Sequence, residues 1–391
     1  MAFFYLLPVI LLVIFVASFI SAIIRTIQTE YANCSIPPGV SNPGKLRLIV
    51  AVFIVTSTLV SNSAATSARN VVRSAPHAGL PSPGAPHRLP LTSYPSHGSP
   101  FTLTGPRPLP AVLLFHGGGW ICCSLDSHER ICQYIAKESG SLVVSVGYRL
   151  APEHKYPAAY EDCLNATQHF LQHLQHYGVD PARVTVCGDS AGGNLAAAVS
   201  QTLAGSSDLP RLRAQILIYP GLQALDFNLP SYQQNRGVPL LFRERAVYYS
   251  LQYVQGDTSN LEEVLEGSHI PPDMRMKYQK WVNADNIPEE FKVRGYEPHK
   301  PCEFKPEVFE KVKRIREPSL CPLFAEDTII QQLPESFILT CEYDVLRDDG
   351  LLYKKRLEDN GVRVTWYHLE DGFHGIINLF DYCGLSFPSG K

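Results

Sequence analysis

Ser190 has a glycine two residues away on either side, in Gly188-Asp189-Ser190-Ala191-Gly192. The motif follows the apolar run Val184-Thr185-Val186-Cys187 and precedes the helix-prone Asn194-Leu195-Ala196-Ala197-Ala198. A serine so placed is a candidate nucleophile. The spacing suits a sharp strand-to-helix turn, in which side chains at the glycine positions would strike neighbouring backbone while the hydroxyl is lifted into an open site. The helix that follows aims free N–H groups at charge developing on an attacked carbonyl. Upstream, Leu113-Leu114-Phe115 runs into His116-Gly117-Gly118-Gly119-Trp120, a glycine run at a strand end whose backbone can approach such a carbonyl. Gly117 and Gly118, with the N–H of Ala191, are the expected oxyanion donors, and losing one such donor costs about 10²–10³ in rate. His116 and Gly119 are expected to support the loop, His116 through hydrogen bonds rather than as a base.

A serine nucleophile needs a base and a group to hold it, and on such elbows the chain order is serine, then aspartate or glutamate, then histidine. Two late strand-like runs end in the right residues. Phe337–Cys341 leads into Glu342-Tyr343-Asp344, and Val364–His368 leads into Asp371-Gly372-Phe373-His374-Gly375. On neighbouring loops at the carboxyl edge of one sheet, Asp344 and His374 would complete a proton relay with Ser190. Asp348 and Asp349 are rivals for the acid, but they open the helix-like stretch 348–360, where carboxylates favour the helix N-terminus. His368 falls inside its strand and reads as structural.

The elements that must carry these residues alternate. Strand-like runs at 111–115, 141–148, 183–188 and 214–219 are separated by helix-like stretches at 131–138, 156–177 and 195–203. This predicts an α/β fold with a mostly parallel sheet and helices on both faces. From about 221 to 333 the pattern turns polar and proline-containing, which reads as a cap insertion over the site. Tyr232, Phe242 and Tyr248 in it are candidates for substrate contact, and Tyr148-Arg149 with Glu161-Asp162 reads as a buried supporting ion pair.

The HGGGW loop, the GDSAGGN elbow, Tyr148-Arg149-Leu150-Ala151-Pro152-Glu153 and Asp371–Gly375 together resemble the hormone-sensitive-lipase branch of the α/β-hydrolases. Within it they are similar to the arylacetamide deacetylase-like proteins. Leu346-Arg347-Asp348-Asp349, the run 352–359 and Arg363–His368 resemble the arylacetamide deacetylase-like 4 subgroup, and the likeness extends from about Ala111 to Phe387. The resemblance implies an α/β-hydrolase fold with Ser190 as nucleophile, Asp344 as acid, His374 as base and His116 to Gly119 as oxyanion loop. It implies hydrolysis of carboxylic esters, and of arylamides as a second substrate class, at the endoplasmic reticulum membrane. It also implies a disulfide from Cys122 or Cys123 to Cys341, with the first cysteine shifted by one residue from the family position.

At 391 residues, 45% hydrophobic and 18% charged, the chain suffices for one catalytic domain with a lid. A net charge of -3 argues against a nucleic-acid surface. The ten cysteines show no metal-ligand spacing, since Cys122 and Cys123 are adjacent without paired histidines, and no cofactor is called for. Residues 1–24 carry no charged side chain and are long enough to cross about 30 Å as a helix, which predicts a retained membrane anchor rather than a cleaved signal peptide. Arg25, Lys45 and Arg47 follow it, and charge bias alone would put the rest in the cytosol. The family resemblance and the glycosylation sequons at Asn33 and Asn165 favour the lumen instead. Of the N-terminal region 25–110, the Ser-, Pro- and Gly-rich tract 61–110 is expected to be largely disordered. The chain ends at Lys391, before the point where the relatives' last helix finishes, so that helix is expected to be missing. Two functions compete: a membrane-anchored serine esterase acting on small lipophilic esters, and a catalytically impaired or ligand-binding member of the same fold. Retention of all three relay residues favours the first; oligomeric state is not readable.

Overall fold

The computed structural model describes residues 108–300 and 302–379, the strand 91–94 and single residues at 21, 36, 39, 40 and 46. The predicted anchor (Ser21 apart), Asn33 and everything beyond 379 lie outside the described residues. Among the described residues no helix is long and apolar enough to cross a membrane. The chain divides into two units, 1–76 with 237–240 and 77–236 with 241–391. The second contains the sheet and every relay candidate.

Seven strands form one sheet: β1 (Leu91–Tyr94), β2 (Leu109–Phe115), β3 (Leu142–Val146), β4 (Val179–Asp189), β5 (Ala214–Ile218), β6 (Glu335–Tyr343) and β7 (Val364–Phe373). Their spatial order is β1-β3-β2-β4-β5-β6-β7, and all pairs are parallel except β1 on β3. The central strands are apolar without alternation, as in Val112-Leu113-Leu114-Phe115 and Leu142-Val143-Val144, because both faces are covered. Strand β1 falls within the tract 61–110, of which 61–90 and 95–107 lie outside the described residues. An edge strand pairs through its backbone with one neighbour, so Leu91-Thr92-Ser93-Tyr94 needs no apolar alternation to join Val143–Val146.

Helices α1 (Leu125–Ser139), α2 (Ala158–Gln172) and α3 (Ala191–Ala204) follow β2, β3 and β4. Almost every residue of α3 is buried, and its small Ala196, Ala197 and Ala198 let it lie close on the sheet. The predicted helix 156–177 is shorter, ending at Gln172 before a 3₁₀ turn at Leu174–Tyr177. Arg149 does pair with Asp162, at 2.9 Å, but only the carboxylate is buried; the guanidinium side chain is 36% exposed. The connection from β5 to β6 holds α4 (Arg243–Val254) and several short helices, four of which open with proline at the first turn, Pro230, Pro272, Pro306 and, in a 3₁₀ turn, Pro322. Its side chains share one hydrophobic core with the sheet, with Tyr278 stacked on Phe324 at 4.2 Å. Helix α5 (Arg347–Asp359) then covers β6.

Candidate active site

Strand β4 passes into α3 through Ser190, whose φ of 56° and ψ of -120° lie where a side chain is strained. Such backbone typically costs about 1–3 kcal/mol and persists only when its surroundings enforce it. Here the Ser190 N–H is held by the Ile218 carbonyl at 2.8 Å, and the Asn194 N–H returns to the Ser190 carbonyl at 3.1 Å. Gly192 makes the turn possible. A Cβ there would overlap the Phe115 carbonyl oxygen, so the end of β2 closes on the elbow only because that side chain is missing.

The hydroxyl of Ser190 lies 2.9 Å from Nε2 of His374, and Nδ1 of His374 lies 2.8 Å from Oδ2 of Asp344. Asp344 is fully buried; its Oδ1 accepts the Leu346 N–H at 2.9 Å, and its carbonyl accepts the Asn235 amide at 2.9 Å. With Nδ1–H committed to the carboxylate, Nε2 presents a lone pair to the serine. The rival acids are buried elsewhere. Asp348 accepts from Arg347 at 2.9 Å and from the Ser231 N–H at 2.6 Å, while Asp349 accepts the Leu222 N–H at 2.8 Å, so both brace the β5–β6 connection. Burial pushes the Asp349 carboxyl up to about 7. His368 is held in its strand by Thr340 at 2.9 Å and Glu342 at 3.2 Å.

The glycine loop differs from expectation at one donor. The Gly117 N–H points to Oδ1 of Asp189 at 2.8 Å, so it is not available to an oxyanion. The N–H groups of Gly118, Gly119 and Ala191 have no partner among the described residues. Gly118 turns at φ 113°, and its carbonyl accepts the N–H groups of Ile121 and Cys122, which tightens the loop behind it. His116 is buried and neutral: desolvation, then the charge of His128, lowers its pKa to about 4. Its Nδ1–H donates to the Gly117 carbonyl at 2.7 Å beneath the stacked ring of Tyr148.

Asp189 and His128 form a buried pair that the sequence reading missed. Nε2 of His128 lies 3.0 Å from Asp189 Oδ1. The single proton of Ser127 Oγ goes to the Ser124 carbonyl at 2.7 Å, so toward His128 Nδ1, at 2.8 Å, that hydroxyl can only accept. That arrangement lets both ring nitrogens donate, which favours the imidazolium beside the Asp189 carboxylate. Burial opposes that charge, but the adjacent carboxylate outweighs it and raises the His128 pKa; likewise burial opposes and His128 dominates in lowering that of Asp189. Asn378, just past His374, donates to Asp189 Oδ2 at 3.2 Å and ties the histidine loop to the same carboxylate.

A cavity of about 780 Å³, counted out to its open mouth, begins at Ser190, Ala191 and Gly119 and runs between side chains of the β5–β6 connection. Its wall is largely apolar, with Phe227, Leu241, Val264 and Ile315. Tyr232 lines it as expected. Phe242 and Tyr248 do not: Phe242 carries the Arg245 guanidinium on its face at 4.3 Å, and Tyr248 is exposed, leaving Tyr249 of α4 in the wall. The disulfide expectation is also corrected. Cys122, Cys123 and Cys341 are free thiols; Cys122 donates to the Gly118 carbonyl at 3.1 Å, while Cys341 is buried in β6 beside Gly372. Asn165 is exposed on α2, although Thr167 of its sequon is buried and bonded to the Cys163 carbonyl at 2.7 Å.

The α/β hydrolase fold family model matches residues 112–268 and 300–378. Human arylacetamide deacetylase-like 4 is 51% identical over 282 residues, 72% of this chain and 69% of that protein. Rat arylacetamide deacetylase is 40% identical over 275 residues, 68% of each. Among solved structures, a thermophilic carboxylesterase cloned from a metagenomic library superposes with a TM-score of 0.55 at 28% identity, covering 74% of this chain and 77% of its own. The match spans strands β2 to β7, the elbow and much of the β5–β6 connection, and the chain belongs to the α/β-hydrolase family, among the arylacetamide deacetylase-like proteins.

Proposed function

We propose that the chain is a serine carboxylesterase for small lipophilic esters, working through Ser190, His374 and Asp344. Ser190 Oγ attacks the acyl carbon while His374 Nε2 takes its proton, and Asp344 stabilises the imidazolium. The tetrahedral oxygen is held by the N–H groups of Gly118, Gly119 and Ala191. Collapse breaks the ester bond, and His374 gives its proton to the departing alcohol. Water, activated by the same nitrogen, then releases the acid and restores the serine. The observation that carries this reading is the continuous Ser190–His374–Asp344 hydrogen-bonded chain, at 2.9 and 2.8 Å, opening into an apolar cavity. The name of the rat relative supports arylamides as a second substrate class. Labelling by a fluorophosphonate and hydrolysis of p-nitrophenyl esters of increasing acyl length, both lost in Ser190→Ala, test it; folded protein that takes no label and cleaves no ester refutes it.

The uncharged stretch 1–24 supports membrane attachment, and the family resemblance with the sequons at Asn33 and Asn165, the latter exposed on α2, supports the endoplasmic reticulum with a lumenal catalytic domain. Retention in the pellet after alkaline carbonate extraction, with a mobility shift on glycosidase treatment, is the expected outcome. Release into the supernatant would count against the anchor.

A further inference from the structure

Three buried polar atoms belonging to residues of the cavity wall have no hydrogen-bond partner among the described residues: Nε1 of Trp120, Oδ1 of Asn194 and Nδ1 of His269. Buried polar atoms are nearly always paired, so an orphan on a cavity wall bears on what the cavity receives. Two of them belong to the reacting centre, since Trp120 follows Gly119 and Asn194 lies one turn beyond Ser190 on α3. His269 does not. It comes from the β5–β6 connection after the short helix Leu261–Leu265 and shares its stretch of wall with Phe227 and Val264.

The chemistry of His269 is fixed by its other nitrogen. Nε2 lies 3.0 Å from the Ala224 carbonyl, which can only accept, so Nε2 carries the proton and Nδ1 is a bare lone pair. Desolvation of this fully buried ring lowers its pKa to about 4, so Nδ1 stays an acceptor at neutral pH. An apolar arm that passed this point would leave the lone pair unmatched; an arm carrying a donor would satisfy it.

We propose that His269 determines specificity: its Nδ1 accepts a hydrogen bond from a hydroxyl or N–H on the apolar arm of the substrate, away from the scissile carbonyl. The favoured substrates are then esters of hydroxylated or amide-bearing lipophilic arms rather than plain hydrocarbon ones. Sites that hydrogen-bond a substrate donor discriminate strongly against analogues lacking it, because the site's own polar atom is left unpaired. The proposal rests on the esterase reading only for the position of the scissile carbonyl.

The test uses the full-length Ser190→Ala chain in detergent and displacement of a fluorescent fatty acid. Competitors are a saturated fatty acid and fatty alcohol, with isomers of each bearing one hydroxyl moved stepwise along the chain. At one position the hydroxylated competitor should bind roughly tenfold more tightly than its parent. That preference should disappear in His269→Phe and persist in His269→Gln, whose amide keeps a donor for Ala224 and an acceptor for the ligand. No preference at any position, or one that survives in His269→Phe, overturns the proposal. If His269→Phe fails to fold, His269→Leu and His269→Met take its place, and a preference that survives in either overturns the proposal. Preference without ester turnover in the Ser190 protein would remove the esterase reading and keep this one; turnover without preference would do the reverse.

Discussion

Replacing Asp189 by asparagine probes the pair beneath the elbow without changing side-chain size. The carboxylate accepts three hydrogen bonds, from Gly117 at 2.8 Å, His128 at 3.0 Å and Asn378 at 3.2 Å. An amide keeps an oxygen for the first two but turns an NH₂ against the NH₂ of Asn378, and it leaves the imidazolium without a counter-charge. Removing one partner of a buried ion pair costs about 3–5 kcal/mol. The lower end applies, because His128 can shed its proton at little cost near neutral pH. At about 2.1 cal/mol/K of unfolding entropy per residue, a domain of roughly 280 residues shifts by about 1.7 °C per kcal/mol, so the melting temperature should fall by roughly 5 °C. The pH dependence follows from the direction of each shift. The raised His128 pKa stabilises fully below about 6.5 and loses its effect as pH climbs through the folded value; the lowered Asp189 pKa stabilises above about 3.8 and fails as pH falls through its folded value. The gap between wild type and Asp189→Asn should therefore be widest near pH 5 and narrow on the alkaline side. Melting curves from about pH 5 to about pH 9 measure it, and a gap that is flat or widens with pH refutes the charged pair.

Asp344→Asn should fold normally, since Leu346 can still donate to the amide oxygen, yet lose about 10⁴ in kcat on p-nitrophenyl esters through the wrong histidine tautomer. Gly192→Ala should yield little folded protein, because the new methyl overlaps the Phe115 carbonyl; soluble yield and circular dichroism check this. Arg347 is completely buried between Asp348 and Glu342; Glu342 keeps Arg294 and His368, so Arg347→Met strands the buried Asp348 carboxylate and should cost about 3–5 kcal/mol in urea unfolding.

The elbow and relay were legible because each residue sits at the end of an apolar run, where residue type alone assigns a position. What escaped was the traffic between loops. Gly117 was read as a donor because a glycine run shows which N–H groups can approach a ligand, not which one a distant side chain has already taken. The clue was Asp189 itself, an acid in a buried turn that had to find donors. Helix α4 held a second unread signal: Ala246, Tyr249, Ser250 and Val254 follow the 3.6 period and line the cavity, which turns Tyr248 to the other face. Strand β1 gave no signal, since its backbone does the pairing.

The His128–Asp189 pair also bears on rate. Asp189 is bonded to Gly117, next to the proposed oxyanion donor Gly118, and an uncompensated carboxylate there opposes developing negative charge by on the order of 2 kcal/mol at an effective dielectric of about 20. The imidazolium cancels it. His128→Gln keeps a donor toward Asp189 but removes the positive charge, so kcat should fall by roughly 10–100-fold while KM stays near wild type, because the repulsion is felt in the transition state and not by a neutral ester. Wild type should show an alkaline decline in rate as His128 loses its proton, a limb missing from His128→Gln. A purely structural role for His128 predicts that adding Asp189→Asn makes His128→Gln slower still. The electrostatic role predicts the opposite: with the carboxylate gone as well, the double variant recovers part of the rate, and failure to recover any would exclude it.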